Sequence, residues 1–376
     1  MKEFVDQNNI LFSIIVVCKN EENVIGKTIQ SIIDQTYGNF EIIVRDGNSM
    51  DNTVQVINEF RNQDKRIKLI SEEDSGIYNA MNKAILQAEG EYLFFLNVGD
   101  AFYDKQVLSS IEKCIREKKP DIIVGGYLSK RHEQEIMVMP IRVEKLLEYV
   151  KMGNGVCHQS IFARRECLLE GFDERYTFSA DFDWVCRQLT IGRHFVNSDT
   201  IIVRFDKYGV SSMAKNWKRV QDECKDIIQR HFQVDNEQAD AYYKERYRTI
   251  KSQRMLECMN DFLALKQKNK SLSTYFEKHH IETIAIYGYH FLGQRLYEEL
   301  KETSIKVKYI IDRNCTFQNV EIPLFTMENE LEKVDAIVIT PMFEYCAIRE
   351  ELKEKIDCAF LSIEDVINDM YGLELS

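Results

Sequence analysis

Proline is scarce in this chain, four in 376 residues. With 44% hydrophobic and 29% charged residues, that scarcity excludes the Pro-rich, apolar-poor composition of a disordered polypeptide. No C-x-x-C pair occurs among the ten cysteines. Several of them, Cys18, Cys186 and Cys358, sit inside apolar runs, which reads as buried reduced thiols rather than a disulfide framework or a zinc site. No uninterrupted apolar run approaches the ~20 residues of a membrane span, and the opening MKEFVDQNNI lacks the charged-then-apolar form of a signal peptide. The expectation is a soluble, cytoplasmic protein. Positive charge is in deficit: the formal net charge is -12, which argues against non-specific nucleic-acid binding. A phosphorylated small molecule stays admissible, since it needs only local donors or a metal. No repeat period is evident, so solenoids are excluded.

What is present is alternation. Apolar runs of strand length recur at residues 12–18 (FSIIVVC), 40–46 (FEIIVRD), 67–71 (IKLIS), 91–97 (EYLFFLN) and 121–127 (DIIVGGY). They are continuous rather than alternating, as expected of strands covered on both faces. Helical patterns lie between them. Residues 21–35 place Val24, Ile25, Ile29, Ile32 and Ile33 on one stripe, and residues 75–89 do the same with Ile77, Ala80, Met81, Ala84, Ile85 and Ala88. Such α/β alternation predicts a mostly parallel, doubly wound sheet over residues 1–215. Residues 216–280 turn to charged amphipathic helix without strands and read as a helical connector. From 281 a second α/β pattern starts (TIAIYGYHFLGQRLYEELKE, KVKYIIDRN, DAIVITP) and predicts a small domain over 281–376.

Polar residues stand at the carboxyl end of one strand after another in the first domain. Lys19-Asn20-Glu21-Glu22 follow the first, Asp46-Gly47-Asn48-Ser49 and Asp51 the second, Glu72-Glu73-Asp74 the third, and Asn97 and Asp100 the fourth. In open α/β sheets this edge is where ligands bind. Carboxylates repel phosphate unless a divalent cation bridges the two, and Mg²⁺ and Mn²⁺ favour oxygen ligands shared between protein and phosphate. Other carboxylates and amides suit the donors of a base and ribose. A nucleotide diphosphate held through a metal fits the pattern. The competing reading makes Asp46 and Asp51 turn and cap residues and Asp74 a helix cap.

The stretch FSIIVVCKNEENVIGKTIQSIIDQTYGNFEIIVRDGNSMDNT resembles the opening of the family 2 glycosyltransferases, which have a GT-A nucleotide-sugar-binding fold. The segment ISEEDSGIYNAMNKAILQAEGEYLFFLNVGD resembles the branch that assembles bacterial exopolysaccharide, capsule and O-antigen. The resemblance covers roughly residues 10–215. It implies that Asn20, Glu22 and Asp46 lie against the base and ribose of the donor, and that Asp74, Gly76 and Asn82 lie in or near the donor site. Asn97-Val98-Gly99-Asp100 occupies the place of the family's D-x-D-type metal motif. With an amide in the first position, Asp100 carries the metal contact nearly alone. In GFDERYTFSADFDWVCRQL, similar to the family's acceptor-side segment, Ala180 stands where the family has Glu and Asp181 where it has the catalytic Asp. Inverting transfer needs one carboxylate to take the acceptor's proton, and Asp181 is favoured over Asp183 for it. If residues 179–183 are a strand the two share a face; if a helix start, one is a cap.

Cys157-His158-Gln159 makes His158 a candidate for the diphosphate or metal, against a structural histidine. Lys207, in a segment resembling a loop that closes over the donor, is a candidate phosphate contact, and Trp184 reads as core. Gly288-Tyr289-His290-Phe291-Leu292-Gly293 mimics a dinucleotide fingerprint with His in place of the middle Gly. The carboxyl-terminal domain resembles the small Rossmann-like modules appended to some bacterial glycosyltransferases, and a structural, oligomerising or acceptor-positioning role is expected of it rather than NAD binding. The expected function is an inverting, metal-dependent (Mn²⁺ or Mg²⁺) glycosyltransferase. It would move a hexose or related sugar from a nucleotide diphosphate, most readily a uridine one, to a saccharide or lipid-linked acceptor at the inner face of the cell membrane. Homo-oligomerisation and peripheral membrane association stay open. The alternatives are a catalytically silent sugar-nucleotide-binding subunit and, ranked lower, a sugar nucleotidyltransferase.

Overall fold

The computed structural model describes residues 10–131, 134–206, 214–313 and 321–371. The chain divides into two compact units. The described residues of Met1–Ser211 and Arg219–Tyr243 form one, and those of Ser212–Lys218 and Lys244–Ser376 the other. Among the described residues no helix is long and apolar enough to cross a membrane.

The first unit opens with β1 (Phe12–Cys18), α1 (Ile25–Ile33), β2 (Phe40–Asp46), α2 (Thr53–Gln63), β3 (Ile67–Ser71), α3 (Ile77–Gln87) and β4 (Tyr92–Phe95). The strands β3-β2-β1-β4 lie side by side, each pair parallel. Seven of seven β2 residues are buried, the mark of a strand covered on both faces. The α1 stripe is narrower than the periodicity predicts: Ile25, Thr28, Ile29 and Ile32 are buried, while Val24 is the residue before the helix and 36% exposed. α3 buries Ala80, Met81, Ala84 and Ile85 and leaves Ile77 at the surface.

The sheet continues through β5 (Ala101–Phe102), α4 (Val107–Lys118), β6 (Ile122–Arg131), β7 (Gln134–Val138), α5 (Val143–Lys151), β8 (Ile161–Arg164), α6 (Arg165–Leu168), α7 (Ala180–Thr190) and β9 (Phe195–Asp206). Its order is β3-β2-β1-β4-β8-β6-β9-β5, with β7 paired to β6. β8 runs antiparallel to β4 and β6, so the parallel half ends at β4, and the loop after β4 faces residues supplied by the mixed half.

The helical stretch expected as a connector is shared between two cores. α8 (Trp217–Phe232) and the start of α9 (Asn236–Gln267) put Cys224, Ile227, Ile228, Ala239 and Tyr243 into the core of the first unit. Later residues of α9, among them Cys258, Phe262 and Leu265, pack in the second unit with Leu272 and Phe276. An amphipathic helix has to bury its apolar face on something, and here neighbouring turns find different hosts.

The second unit continues with α10 (Ser273–Lys278), β10 (Thr283–Tyr287), α11 (Phe291–Leu300), β11 (Lys306–Ile311), β12 (Leu324–Phe325), β13 (Ala336–Ile339), α12 (Tyr345–Lys353), β14 (Ala359–Ser362) and α13 (Ile363–Asp369). Its strands form an all-parallel sheet in the order β12-β11-β10-β13-β14. The two glycines of the fingerprint-like segment have packing reasons to be glycine. Gly288 has φ +88°, and a Cβ on Gly293 would stand 2.0 Å from the Gly288 carbonyl oxygen. Gly293→Ala is therefore expected to destabilise the second unit by about 2–3 kcal/mol or more through overpacking. Denaturant unfolding of the full chain reads this as a lower midpoint for the second unit.

Candidate functional site

The loops after β1 and β2 are sewn to each other before any ligand is considered. Asn20 adopts φ 56°; its Oδ1 accepts the Met50 N–H at 2.8 Å, while its own N–H donates to Ser49 Oγ at 2.7 Å. Glu22 Oε2 accepts from the backbone and side-chain amides of Asn52, both at 2.8 Å. Asp51 takes the Glu22 N–H at 3.2 Å and the Thr53 N–H at 3.0 Å. Asp46, fully buried at the end of β2, accepts the Ser49 N–H at 3.1 Å and the Ser71 hydroxyl at 2.6 Å. The Ser49 hydroxyl also donates to it. These acids and amides line the carboxyl edge of β1 and β2 as the sequence pattern places them.

Asp74 does not cap a helix. Its carboxylate receives Arg45 in a fork, Nε at 3.0 Å and Nη2 at 2.8 Å, and Lys83 Nζ at 2.7 Å. Its side chain is 5% exposed. Arg45, the penultimate residue of β2, is itself fully buried and also reaches Glu72 at 3.2 Å. Burial alone would raise the Asp74 pKa, yet the hydrogen bonds and charges of Arg45 and Lys83 outweigh it and hold it below the usual aspartate value. Gly76 is the extended residue preceding α3. Asn82, on α3, is spent on the loop after α6: its Oδ1 accepts the Phe172 N–H at 2.6 Å, and its Nδ2 donates to the Phe172 carbonyl at 2.9 Å and to Glu174 at 3.0 Å.

The turn after β4 is gripped from α1. The Thr28 hydroxyl donates to the Asp100 carbonyl at 2.9 Å and accepts the Gly99 N–H at 2.9 Å, and the Asp100 N–H closes on the Asn97 carbonyl at 3.2 Å. Gly99, at φ +90°, supplies the left-handed step. The Asp100 carboxylate is 8% exposed and accepts the Gln159 side-chain amide. One residue earlier, His158 Nδ1 meets Asp181 Oδ2 at 2.9 Å. A single 3₁₀ turn, His158–Ser160, thus touches Asp100 through one side chain and Asp181 through the next.

Asp181 is the second residue of α7, whose N-terminal flank is Ser179. Its Oδ1 accepts the Tyr78 hydroxyl at 3.1 Å and the Phe182 N–H at 2.9 Å. Burial pushes its pKa up, but the His158 hydrogen bond and charge, with the Phe182 and Tyr78 donors, bring it below the ordinary value. The side chain keeps 20% of its surface open, and His158 keeps 28%. Asp183, two positions on, points to the other side of the helix, as residues two apart on a helix do. It is 2% exposed and bound by Arg230 and by His231 Nε2 at 2.8 Å. Ala180 is fully buried. Trp184 is core, its indole N–H donating to the Cys167 carbonyl at 2.8 Å. Lys207 lies outside the described residues.

Three contributors were given no role by the motifs that contain them: Arg45, Tyr78 and Gln159. An arginine inside FEIIVRD was a legible signal, because a guanidinium in a buried strand demands a carboxylate partner. Tyr78 and Gln159 gave none; only the tertiary contacts select them.

The donors at Asp100 bear on a metal. Among the described residues the one convergence of three acidic, thiol or imidazole ligands is Asp121 with Glu166 and Cys167, away from Asp100. At Asp100 the chain offers one nearly buried carboxylate, with the Asn97 carbonyl on its own N–H and His158 one residue from its Gln159 partner. That set fits a Mg²⁺ or Mn²⁺ that takes most of its oxygens from substrate phosphate and water.

Known proteins match this chain in the same region. The model of glycosyl transferase family 2 covers residues 13–182. A PGL/p-HBAD biosynthesis glycosyltransferase of Mycobacterium bovis is 32% identical over 180 residues, 47% of this chain and 69% of the relative. The glycosyltransferase GlyA of Streptococcus pneumoniae is 32% identical over 138 residues, 37% of this chain and 20% of GlyA. Among solved structures, S. aureus TarS 1-349 aligns with a TM-score of 0.48 at 20% identity, over 62% of this chain and 69% of TarS 1-349. The chain belongs to glycosyl transferase family 2, and its first unit is a mixed α/β domain.

Two outcomes follow from the two carboxylates with buried partners. Asp183→Ala strips Arg230 and His231 of their shared acceptor, and is expected to cost about 3 kcal/mol of folding stability, read as a lower denaturation midpoint. Asp74 has a depressed folded pKa, so its contribution is present above the unfolded value of ~3.9 and lost as pH falls from there through the folded value. Acid unfolding followed between pH 5 and about 2 is expected to be less steep in Asp74→Asn than in the wild type.

Proposed function

We propose that this family 2 glycosyltransferase moves a sugar, with inversion, from a uridine diphosphate donor to a saccharide or lipid-linked acceptor in bacterial surface polysaccharide assembly. The observation that carries the reading is the His158–Gln159 turn. It ties the acid after β4, the diphosphate end of a GT-A crevice, to the acid at the start of α7, the acceptor end. The sugar to be transferred is positioned between the two.

In this reading Asn20, Glu22 and Asp46 form the wall for base and ribose, each held by hydrogen bonds to the 49–52 turn. Asp74, Gly76 and Asn82 act one step back. Asp74 fixes Arg45 at the end of β2, Gly76 begins α3, and Asn82 fastens the 172–174 loop beneath α7. Lys207 is proposed as a phosphate contact. Asp100, with Asn97 and His158 Nε2 as further ligands, would hold a divalent cation whose chemistry is to neutralise charge on the departing diphosphate.

Asp181 receives the proton of the acceptor hydroxyl as that oxygen forms its bond to the anomeric carbon and the bond to the nucleoside diphosphate breaks. It is ionised at neutral pH, its charge held by the His158, Phe182 and Tyr78 hydrogen bonds. Tyr78 and His158 orient the carboxylate, and the Tyr78 proton is itself held firmly by burial and by the Asp181 charge. Inversion is the stereochemical result of one displacement, with the base on the face opposite the leaving group.

One observation favours a second assignment of the base. Both Asp181 oxygens already accept hydrogen bonds, and the His158 Nδ1 contact leaves Nε2 as the other proton-accepting position. In this assignment Nε2 serves the acceptor and not the cation, and Asp181 orients His158 as a carboxylate orients the histidine of a hydrolase triad.

The test is nucleotide release from a panel of sugar nucleotides with Mn²⁺, Mg²⁺ or chelator, repeated with saccharide and lipid-linked acceptors. One donor is expected to be turned over, with release abolished by chelator and in Asp100→Ala. Full activity in chelator removes the metal role of Asp100, and no release with any donor and acceptor favours the silent subunit. Asp181→Asn is expected to lower kcat by about 10²–10⁴-fold. Transfer left intact in it overturns both assignments of the base. His158→Gln separates them: a small loss with an unchanged pH profile supports Asp181, and a loss as large as that of Asp181→Asn supports His158.

A further inference from the structure

The second unit contains a cavity of about 330 Å³ that the transfer reaction does not use. It opens at the carboxyl ends of β10, β11 and β13, the three central strands of the parallel sheet. The chain leaves β10 for β11 on one side and reaches β13 on the other, so β10 and β13 flank the topological switch point, where open α/β sheets form their binding crevice.

The lining has two characters. Apolar walls come from Met255 on α9, Phe291 and Leu292 at the start of α11, and Pro341, Met342 and Phe343 after β13. Phe291 is 69% exposed, so its ring is open to a ligand in the cavity. Polar groups come from the ends of β10 and β11, from Thr340, and from the Lys251–Glu344 pair, which neutralises its own charge. Tyr287, 3% exposed, sets its hydroxyl in the cavity wall beside the Arg313 guanidinium, which hydrogen-bonds to it. A buried hydroxyl on a guanidinium holds the cation at the cavity, where it can meet an anion. The Arg313 side chain is 68% exposed and loosely paired with Glu351 at 3.5 Å. The first turn of α11, ten residues long, adds N–H groups that lack partners within the helix and a partial positive charge.

The shape of the site sets its occupant. A full dinucleotide fold is built from two mononucleotide-binding halves, and this sheet supplies one. His290 fills the position where a second glycine would admit a bridging pyrophosphate, and the cavity is at the small end of the range for ligand pockets. Asp312, at the end of β11, stands where such folds place the acid that meets ribose hydroxyls. Its Oδ2 accepts the Tyr289 N–H at 2.7 Å, which fixes the carboxylate at the crevice.

We propose that the second unit binds a nucleoside monophosphate, the base against Phe291, Met342 and Phe343, the ribose by Asp312, and the phosphate toward Arg313 and the start of α11. Such a site lets the second unit sense a nucleotide independently of the donor held by the first.

The experiment is calorimetric titration of the full chain with AMP, GMP, CMP and UMP. One of the four is expected to bind one-to-one, about ten-fold or more weaker in Arg313→Ala and several-fold weaker in Tyr287→Phe. Binding is expected to persist in Asp46→Asn, which alters the first unit alone. Absence of binding by all four at millimolar concentration overturns the proposal. So does binding that disappears in Asp46→Asn and is unchanged in Arg313→Ala, because that nucleotide would be occupying the donor crevice. Arg313 and Tyr287 belong to no part of the transfer site, so either result leaves the proposed glycosyltransferase reaction standing.

Discussion

Burying both faces of a parallel sheet constrains the rest of the molecule. Strands such as FSIIVVC and FEIIVRD are apolar on both sides because helices or further chain cover each face. Polar side chains and unpaired backbone groups are then concentrated at the strand ends, and each buried one must find a partner there. Asp46 finds Ser49 and Ser71; Asp100 finds Gln159, while its backbone is held by Thr28; Asp181 finds His158 and Tyr78. The same bonds that satisfy these groups position them. Structural and functional roles are therefore not alternatives at this edge.

The Arg45 cluster shows how strongly that requirement acts. A guanidinium with no exposed surface would be intolerable alone, so the loop after β3 folds back to deliver Asp74 and Glu72, and α3 contributes Lys83. Breaking such a group is costly because it strands a charge in the interior. The same cluster orders the start of α3, and α3 in turn carries Tyr78 to Asp181 and Asn82 to Phe172. A contact that looks purely structural thus lies two steps from the proposed base.

The two units solve one problem twice. Each has a run of parallel strands whose polar residues meet at their carboxyl edge. In the first, acids and amides predominate, suited to donors on a base and ribose and to a shared cation. In the second, an apolar wall with Arg313, the tyrosine beside it and a helix start suits the proposed anionic ring compound. The contrast comes from a few side chains on similar backbones, which is why fold alone assigns neither.

Much of this was legible in the sequence. Continuous apolar runs separated by amphipathic helices fixed a parallel α/β sheet, because strand burial and helix periodicity are local properties of composition. Residues closing each strand marked the edge, and the motif order pointed to the family. What the chain could not show by itself was pairing. Whether Asp181 and Asp183 share a face depended on residues 180–190 being helix, and only packing sent one to His158 and the other to Arg230 and His231. The shared ownership of residues 216–280 was equally hidden, since an amphipathic stripe says that a face is buried but not against what. Gln159 and Tyr78 were given no role by the motifs that contain them; they matter because folding brings them to a carboxylate from 59 and 103 residues away. Local chemistry determined which groups this protein has at its strand ends, and tertiary structure alone decided which of them meet, because hydrogen bonds and ion pairs depend on distance in space rather than along the chain.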